Sequence, residues 1–167
     1  MTSVSIVVVP ATGDDVDAMN RIYNHLIVNS HVSFDTEPWT YEQRSDWLAD
    51  RNRRGYPVLV ARVSDAIVGV AWSGPFRDRE AYALSVETTI AVDSASTGIG
   101  IGSHLYKELI GQLKVLGFHR CYGVVALPND ASVALHHKLG FTEVGVLDES
   151  GYKNGSFIST ALLELKL

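Results

Sequence analysis

Glycine alternates with other residues in the segment TGIGIG, residues 97–102, directly before leucines that recur at helical spacing. The segment ahead of it, ALSVETTIAV, alternates as a strand does. A strand, a glycine-rich turn and a helix in succession leave unpaired backbone N–H groups at the helix start, where the helix dipole favours an anion. Glycine lets a phosphate approach the main chain because it has no Cβ. The segment therefore predicts a phosphate-binding turn.

Other interpretations of this turn differ in what they require. A P-loop is excluded because it needs a lysine directly after its last glycine, whereas Ser103 and His104 follow Gly102. A dinucleotide-binding turn needs a third small residue and an acidic residue at the end of the next strand, and that strand ends VVALPN. A purely structural turn needs only the glycines. The dinucleotide and structural interpretations stay open on these residues alone.

Hydrophobic periodicity predicts strands alternating with amphipathic helices along the chain. The predicted strands cover residues 4–9, 56–63, 66–76, 83–92, 120–127, 141–147 and 158–167. In the first predicted helix, Asp14 or Asp15 is the cap, and the apolar positions are Val16, Met19, Tyr23 and Leu26. Thr40 and Gln43 form a capping box for a second helix through about Arg53, and Asn129 caps a last helix through Leu139. The helix between them has one apolar stripe and is closed by Gly117; the stripe consists of Leu105, Leu109, Ile110, Leu113 and Leu116. The loop NSHVSFDTEPW between the first two helices is long enough to carry function.

Composition and charge narrow the class of protein. With 167 residues, 46% of them hydrophobic, the chain is long enough for one domain, residues 1–167, and short for two. The net charge of −5 argues against nucleic acid as the main partner. No apolar run approaches the ~20 residues of a membrane span, and no basic segment precedes the first apolar stretch. We therefore expect no membrane partner and a cytoplasmic location.

Cysteine and histidine give little sign of redox or metal chemistry. Cys121 is the single cysteine, and its neighbours in RCYGVVA predict a buried strand position. His25, His31, His104 and His119 have no ligand-like spacing with acids or thiols. We therefore expect no metal site.

Several segments resemble one known family. TGIGIG before a helix, followed by ALPNDASVALHHKLGF, resembles the acetyl-CoA signature of the GCN5-related N-acetyltransferases (GNAT). The matching positions are Gly100, Gly102, Asn129, Gly140 and Phe141. Other segments resemble the phosphinothricin and methionine sulfone/sulfoximine acetyltransferase branch: IYNHLIVNSHVSFDTEPWT, GPFRDREAY, SVETTIAV, GFHR and GYKNG. They occur in order over nearly the whole chain, which makes the resemblance more specific than any single motif.

The resemblance implies a fold, a reaction and an assembly. The fold is α/β (α+β), with a mostly antiparallel central sheet whose middle strands splay apart and with helices flanking the sheet. The reaction is transfer of an acetyl group from acetyl-CoA to the α-amine of a small amino-acid analogue, and the assembly is a homodimer. The alternatives are an acetyltransferase for another small amine or a peptide N-terminus, and a CoA-binding module without turnover.

Acetyl transfer to an amine needs a base, because an amine with a pKa of about 8 or above is mostly protonated at neutral pH. Strand alternation places Glu87 on the face opposite Val86 and Thr88, so its carboxylate can look into a cleft. The resemblance implies that Glu87 is the catalytic base, acting directly or through water.

Two adjacent histidines could give a proton to the departing thiolate or a hydrogen bond to the oxyanion. At about 100° per residue, His136 lies beside the stripe of Leu135 and Leu139, whereas His137 points away from it. The resemblance places a histidine acid at His136. We therefore expect His136, rather than His137, to take part in catalysis.

The resemblance also assigns binding residues. Those expected to bind CoA are Ile90, Val92, Thr97, Gly98, Ile99, Gly100, Ile101, Gly102, Ser103 and Asn129. Those expected to bind the amine are Phe34, Arg77, Arg79, Tyr82 and Ser85, with each guanidinium able to bind a carboxylate, phosphinate or sulfone. The chain departs from the family at Thr97, where Gln or Arg is usual, and at Ser156 and Phe157, where Arg-Trp is frequent.

Overall fold

The computed structural model describes residues 5–167, which form a seven-stranded sheet with helices on both faces. The strands are β1 (Ile6–Pro10), β2 (Val58–Val63), β3 (Ala66–Pro75), β4 (Ser85–Val92), β5 (Arg120–Ala126), β6 (Thr142–Lys153) and β7 (Ser156–Lys166). The helices are α1 (Val16–Asn29), α2 (Tyr41–Arg53), α3 (Ile101–Val115) and α4 (Asp130–Lys138). The strand order is β1-β2-β3-β4-β5-β7-β6, antiparallel except between β4 and β5. The predicted fold class is confirmed.

The two faces of the sheet pack against different helices. On one face, Met19 of α1 and Leu48 of α2 share a core with Val70 of β3. On the other face, Leu109 of α3 shares a core with Val86 of β4. Because a strand turns successive side chains to opposite faces, β4 contributes to both cores. The predicted alternation along β4 therefore holds.

Three predicted helix ends are confirmed. Thr40 and Gln43 form the capping box of α2, with distances of 3.2 Å from Gln43 N to Thr40 Oγ1 and 2.8 Å from Thr40 N to Gln43 Oε1. Asn129 Oδ1 accepts the N–H of Ser132 at 3.2 Å and so caps α4. Gly117 follows α3 with a φ of 82°, the left-handed region that favours glycine.

The predicted extent of the α3 stripe is wrong, and the predicted cap of α1 is confirmed without a side-chain hydrogen bond. The α3 stripe does not include Leu116, because α3 ends at Val115 and the Leu116 side chain is 54% exposed. Asp15 is the N-cap residue of α1, as predicted, but its side chain makes no hydrogen bond into α1, because residues 13–15 form a short 3-10 turn that directs its carboxylate back to the N–H of Thr12 and toward Arg62.

Strand boundaries also differ from the prediction in places. β4 begins at Ser85 rather than at residue 83, because Glu80–Tyr82 form a 3-10 turn. β6 extends beyond residue 147 to Lys153, where a tight turn at Asn154 and Gly155, with φ of 53° and 79°, leads into β7. Residue 4, included in the first predicted strand, lies outside the described residues.

β4 and β5 pair along only part of their length. Their parallel register covers residues 85–88 of β4 and residues 120–123 of β5. Beyond it, residues 89–92 stay paired with β3 and residues 124–126 stay paired with β7. The two strands therefore separate and leave a backbone edge open between them. This confirms the predicted splay in the middle of the sheet.

Candidate active site

The glycine turn before α3 has a backbone that requires glycine. Gly98 and Gly100 have φ of 83° and 90°, which strain any L side chain. In the first turn of α3, the N–H of His104 donates to Gly100 O at 3.1 Å. The N–H groups of residues 101–103 precede this bond and point out of the helix end, where the dipole is positive. This end of α3 can hold an anion.

A groove of about 520 Å³ runs from the glycine turn along the open edge of β4 to the start of α4. All but one of the predicted CoA-binding residues line it: Ile90, Val92, Thr97, Gly98, Gly100, Ile101, Gly102, Ser103 and Asn129. The prediction for Ile99 is not matched, because its side chain, between the two left-handed glycines, turns to solvent and is 49% exposed. A Cβ at Gly102 would lie 3.2 Å from Leu135 Cδ2, so glycine here lets α3 and α4 approach each other.

Glu87 faces a cavity of about 300 Å³ on the α1 side of the sheet. Tyr23 of α1 and Ser33, Phe34 and Asp35 of the following loop also line this cavity. Burial raises the pKa of the Glu87 carboxyl above its usual 4.5, because a less polar environment disfavours the charged form. A carboxylate with a raised pKa is a better proton acceptor near neutral pH.

A smaller space of about 90 Å³ lies in the splay and links the groove to the cavity. It shares Ile90 and Asn129 with the groove and Thr89 and Ala126 with the cavity. A molecule in the groove therefore reaches the cavity that holds Glu87 through the opened sheet.

His136 lies on the α3 side of the sheet, where it borders the splay. It is 3% exposed, with Nδ1 at 2.7 Å from Ser132 O and Nε2 at 3.0 Å from the Tyr106 hydroxyl. That hydroxyl lies 2.6 Å from Thr88 Oγ1, which donates to Tyr122 O at 3.1 Å. Burial lowers the pKa of His136, so its ring is neutral at pH 7. Both ring nitrogens of this neutral ring have protein partners.

The predicted amine-binding residues separate into two groups. Phe34 lines the cavity, and its ring packs so closely over Gly151 that a Cβ there would lie 2.4 Å from it. In the structure of residues 5–167, the other four predicted residues are not part of the cavity wall: Arg77, Arg79, Tyr82 and Ser85. The physical reason is their position in the chain. Arg77, Arg79 and Tyr82 lie in the exposed connection between β3 and β4, and Ser85 is the first residue of β4.

Arg77 and Tyr82 instead join an aromatic cluster beside Glu87. The Arg77 guanidinium lies 5.1 Å from the ring centre of Phe76 and 5.7 Å from that of Tyr82. Phe76 stacks on Tyr122 with ring centres 4.0 Å apart. Tyr122 is the register partner of Glu87 across β4 and β5. This cluster therefore stands next to the cavity, where it can meet the outer part of a bound molecule.

Several residues in and behind the cavity wall were not predicted from the sequence. Ser33 donates its hydroxyl proton to the Tyr23 hydroxyl at 3.2 Å. Lys153, which is 5% exposed, donates from Nζ to Ser33 O at 2.7 Å. Asp35 lines the cavity from the same loop. The available signal was the length of this loop and its SFDTEP segment, which favour a functional loop but do not indicate which side chains turn inward.

Cys121 is buried in β5, as predicted, with Sγ 3.4 Å from Thr88 Oγ1. Burial raises its pKa to about 12, so the thiol stays protonated. Across residues 5–167, no three His, Cys, Asp or Glu side chains gather as a metal site requires. None of the helices described in that range has the length and apolarity to cross a membrane.

Comparison with protein families gives a match over most of the chain. Residues 19–141 match the Acetyltransferase (GNAT) family. The chain is 42% identical over 148 residues to phosphinothricin N-acetyltransferase of Streptomyces viridochromogenes, covering 89% of this chain and 80% of that protein. It is 30% identical to the L-methionine sulfoximine/L-methionine sulfone acetyltransferase of Salmonella typhimurium, covering 92% of this chain and 90% of that protein.

A solved structure resembles this fold closely. The phosphinothricin acetyltransferase of Sinorhizobium meliloti, in complex with acetyl-CoA, superposes with a TM-score of 0.94 at 29% identity. The superposition covers 97% of this chain and 88% of that one. The likeness therefore extends over the groove, the splay and the cavity of the present structure.

Proposed function

This chain belongs to the acetyltransferase (GNAT) family and is an N-acetyltransferase that uses acetyl-CoA; from that premise, we propose that it acetylates the α-amine of a small amino-acid analogue. Phosphinothricin, methionine sulfoximine and methionine sulfone are the substrates named for its relatives. The observation that carries the proposal is the position of Glu87, whose carboxylate faces a cavity joined through the splay to the groove below the glycine turn. We propose that residues 1–167 act as one domain.

The groove residues fit the parts of CoA. The amides of residues 101–103 would hold the diphosphate, because Gly98 and Gly100 leave the approach to the helix end free of side chains. The open backbone edge of residues 90–92 would hydrogen-bond the pantetheine arm, and Asn129 would reach it from α4. The acetyl thioester would supply an acyl group that an amine can attack directly.

Glu87 would take the proton of the amine. The raised pKa of its carboxyl suits this transfer, which occurs directly or through one water. As the proton leaves, the nitrogen lone pair forms a C–N bond to the acetyl carbon, and the C–S bond breaks to release the CoA thiolate. The carboxylate is partly buried, so its charge acts on the amine with less screening than in bulk water.

His136 would act as a positioning residue in this reaction. Both its nitrogens are bonded within the protein, which leaves no free N–H for the departing thiolate. Through Tyr106 it fixes Thr88, the last β4 residue that pairs with β5. His136 thereby holds the point from which the splay opens. Arg77 would meet the substrate carboxylate at the aromatic cluster that it shares with Tyr82, and Arg79 and Ser85 would lie beside that cluster.

We also propose a homodimer that uses the β6 edge of the sheet. Apolar side chains of β6 and β7 are more than half exposed there: Val144, Val146, Leu147, Tyr152 and Phe157. A strand edge of this kind pairs readily with a second copy. Light scattering should give twice the chain mass, and Val146→Asp should give the single chain mass; a single mass for the unmodified protein would contradict the proposal.

A thiol-release assay with acetyl-CoA tests the reaction. The amines are phosphinothricin, methionine sulfone, methionine sulfoximine, an unmodified amino acid, a peptide with a free N-terminus and a polyamine. Release with the tetrahedral analogues supports the proposal, whereas release only with the peptide or the polyamine moves the substrate class. Binding of CoA, measured by calorimetry, without release on any amine would identify a binding module and contradict the proposed catalysis.

A further inference from the structure

We infer that Asp35 makes this enzyme select amino-acid analogues with an uncharged side chain, such as a sulfone, over those with an anionic side chain, such as a phosphinate. The inference rests on the proposed function, because it concerns the same cavity. In this proposal Asp35 sets the substrate specificity, whereas other residues carry out the acetyl transfer.

The charges that line the cavity are of one sign. Glu87 and Asp35 both contribute to its wall. No Lys, Arg or His is among the lining residues described within 5–167, and Tyr23 is the remaining ionisable group there. When Glu87 accepts the amine proton it becomes neutral, and the Asp35 carboxylate is the other acidic group in the cavity wall. An anionic side chain placed in this cavity would be repelled by that carboxylate.

The cations near Asp35 lie behind the wall, and each donates a hydrogen bond to a group other than Asp35. Lys153 donates from Nζ to Ser33 O at 2.7 Å and is 5% exposed. Arg44 is 1% exposed, donates from Nε to Asn20 Oδ1 at 3.0 Å and has its guanidinium 4.1 Å from the ring centre of Trp39. Neither is within 4.0 Å of an Asp35 oxygen in the structure of residues 5–167.

The Asp35 charge nevertheless acts on its surroundings. Burial raises the pKa of the Tyr23 hydroxyl, and the Asp35 carboxylate raises it further. Burial lowers the pKa of Lys153, and Asp35 opposes that shift. The carboxylate therefore lies close to a hydroxyl that borders both the cavity and the splay. Asp35 is placed to repel an anion from the part of the cavity beside Tyr23.

The orientation of the substrate follows from the same charges. Arg77 stands outside the cavity, over Phe76 and Tyr82, where it can pair with the α-carboxylate. The α-amine then lies at Glu87, and the side chain enters the space between Phe34 and Asp35. A sulfone and a phosphinate have similar tetrahedral shapes, so charge rather than fit distinguishes them here.

The experiment compares kcat/KM for methionine sulfone and phosphinothricin in the unmodified protein, in Asp35→Asn and in the control Asp65→Asn. Asp65 lies in the turn between β2 and β3 and is exposed. We expect Asp35→Asn to shift the sulfone-to-phosphinothricin ratio about tenfold toward phosphinothricin, the size of one partly screened charge pair. Asp65→Asn should leave the ratio unchanged, and added salt should narrow the ratio in the unmodified protein.

An unchanged ratio in Asp35→Asn, with both amines acetylated, would overturn the inference and leave the proposed function intact. If no amine releases thiol, the proposed function fails, and calorimetry with CoA present then measures the two dissociation constants directly. Equal changes for both analogues in Asp35→Asn would again overturn the inference. If Asp35→Asn does not fold, Asp35→Ser and the salt dependence of the unmodified protein give the same comparison.

Discussion

Glu87 and His136 lie on opposite sides of the splayed sheet, and their surroundings differ. On the α1 side, the Glu87 carboxylate faces a cavity and has a raised pKa caused by burial alone. On the α3 side, His136 is more deeply buried and both its nitrogens are bonded to protein groups. Burial thus raises the pKa of a carboxyl that faces open space, whereas it surrounds His136 with hydrogen-bond partners. A perturbed pKa therefore indicates a reactive group only where the titrating atom has open space in front of it.

The largest effect expected from this comparison is the loss of activity in Glu87→Gln. The amide keeps the shape of the side chain but cannot accept a proton, so kcat should fall by about 10²- to 10⁴-fold. Steady-state thiol release measures this fall. Glu80→Gln, in the exposed turn before β4, is the control and should leave kcat unchanged. A loss below threefold in Glu87→Gln would remove this carboxylate from the mechanism.

His136→Ala should act on stability more than on chemistry. The change leaves a cavity and removes the partners of the Tyr106 hydroxyl and of Ser132 O, which costs about 2–4 kcal/mol of the free energy of unfolding. Urea denaturation measures it, with the exposed neighbour His137→Ala as the control, expected within about 0.5 kcal/mol of the unmodified protein. A stable His136→Ala protein with a hundredfold lower kcat would show that His136 is a proton donor.

Gly100→Ala tests the glycine turn on the groove side. Its φ of 90° strains alanine, so the variant should lose about 1 kcal/mol of stability and bind acetyl-CoA more weakly. Gly111→Ala, within α3 where a Cβ meets nothing within 4 Å, should gain about 0.5–1 kcal/mol instead. Calorimetry and thermal unfolding measure both. The change in stability should be negative for Gly100→Ala and positive for Gly111→Ala. Equal changes in the two variants would mean that the turn does not need a positive φ at Gly100.

The smallest effect expected is a gain in cofactor affinity in Thr97→Arg. Thr97 Oγ1 bonds only locally in the described structure, at 3.4 Å from Ser94 O, although the side chain lines the groove. An arginine there adds a charge-assisted bond to a phosphate and should lower the dissociation constant of acetyl-CoA about three- to tenfold. Thr97→Gln should give a smaller gain. Weaker binding by both variants would contradict a phosphate position at this end of α3.

The sequence predicted most of the fold because its signals are local. The capping pair at Thr40, the cap at Asn129 and the glycine after α3 act over a few residues, and the structure confirms each. The prediction that Leu116 belongs to the α3 stripe was wrong, because periodicity alone does not show where a helix ends. Nine of the ten residues predicted to bind CoA line the groove, since the glycine turn and β4 are close in sequence.

The cavity was predicted less completely because it depends on contacts between distant segments. Ser33 meets Lys153 across the fold, and Asp35 faces the space in front of Glu87. No periodicity links these positions in the sequence. The bonding of His136 likewise depends on Tyr106 and on the missing Cβ of Gly123, which would lie 2.4 Å from its Nε2. Local patterns therefore located the reacting face but not the residues that complete it.

The most direct test of Glu87 as the base is the pH dependence of kcat/KM for the amine in the unmodified protein and in Glu87→Gln. The carboxylate accepts protons only above its own pKa, which burial raises above 4.5, so the rate should fall as the pH drops through that raised value. In Glu87→Gln this acidic limb should vanish and leave only the ionisation of the amine. The same acidic limb in both proteins would contradict the role of Glu87.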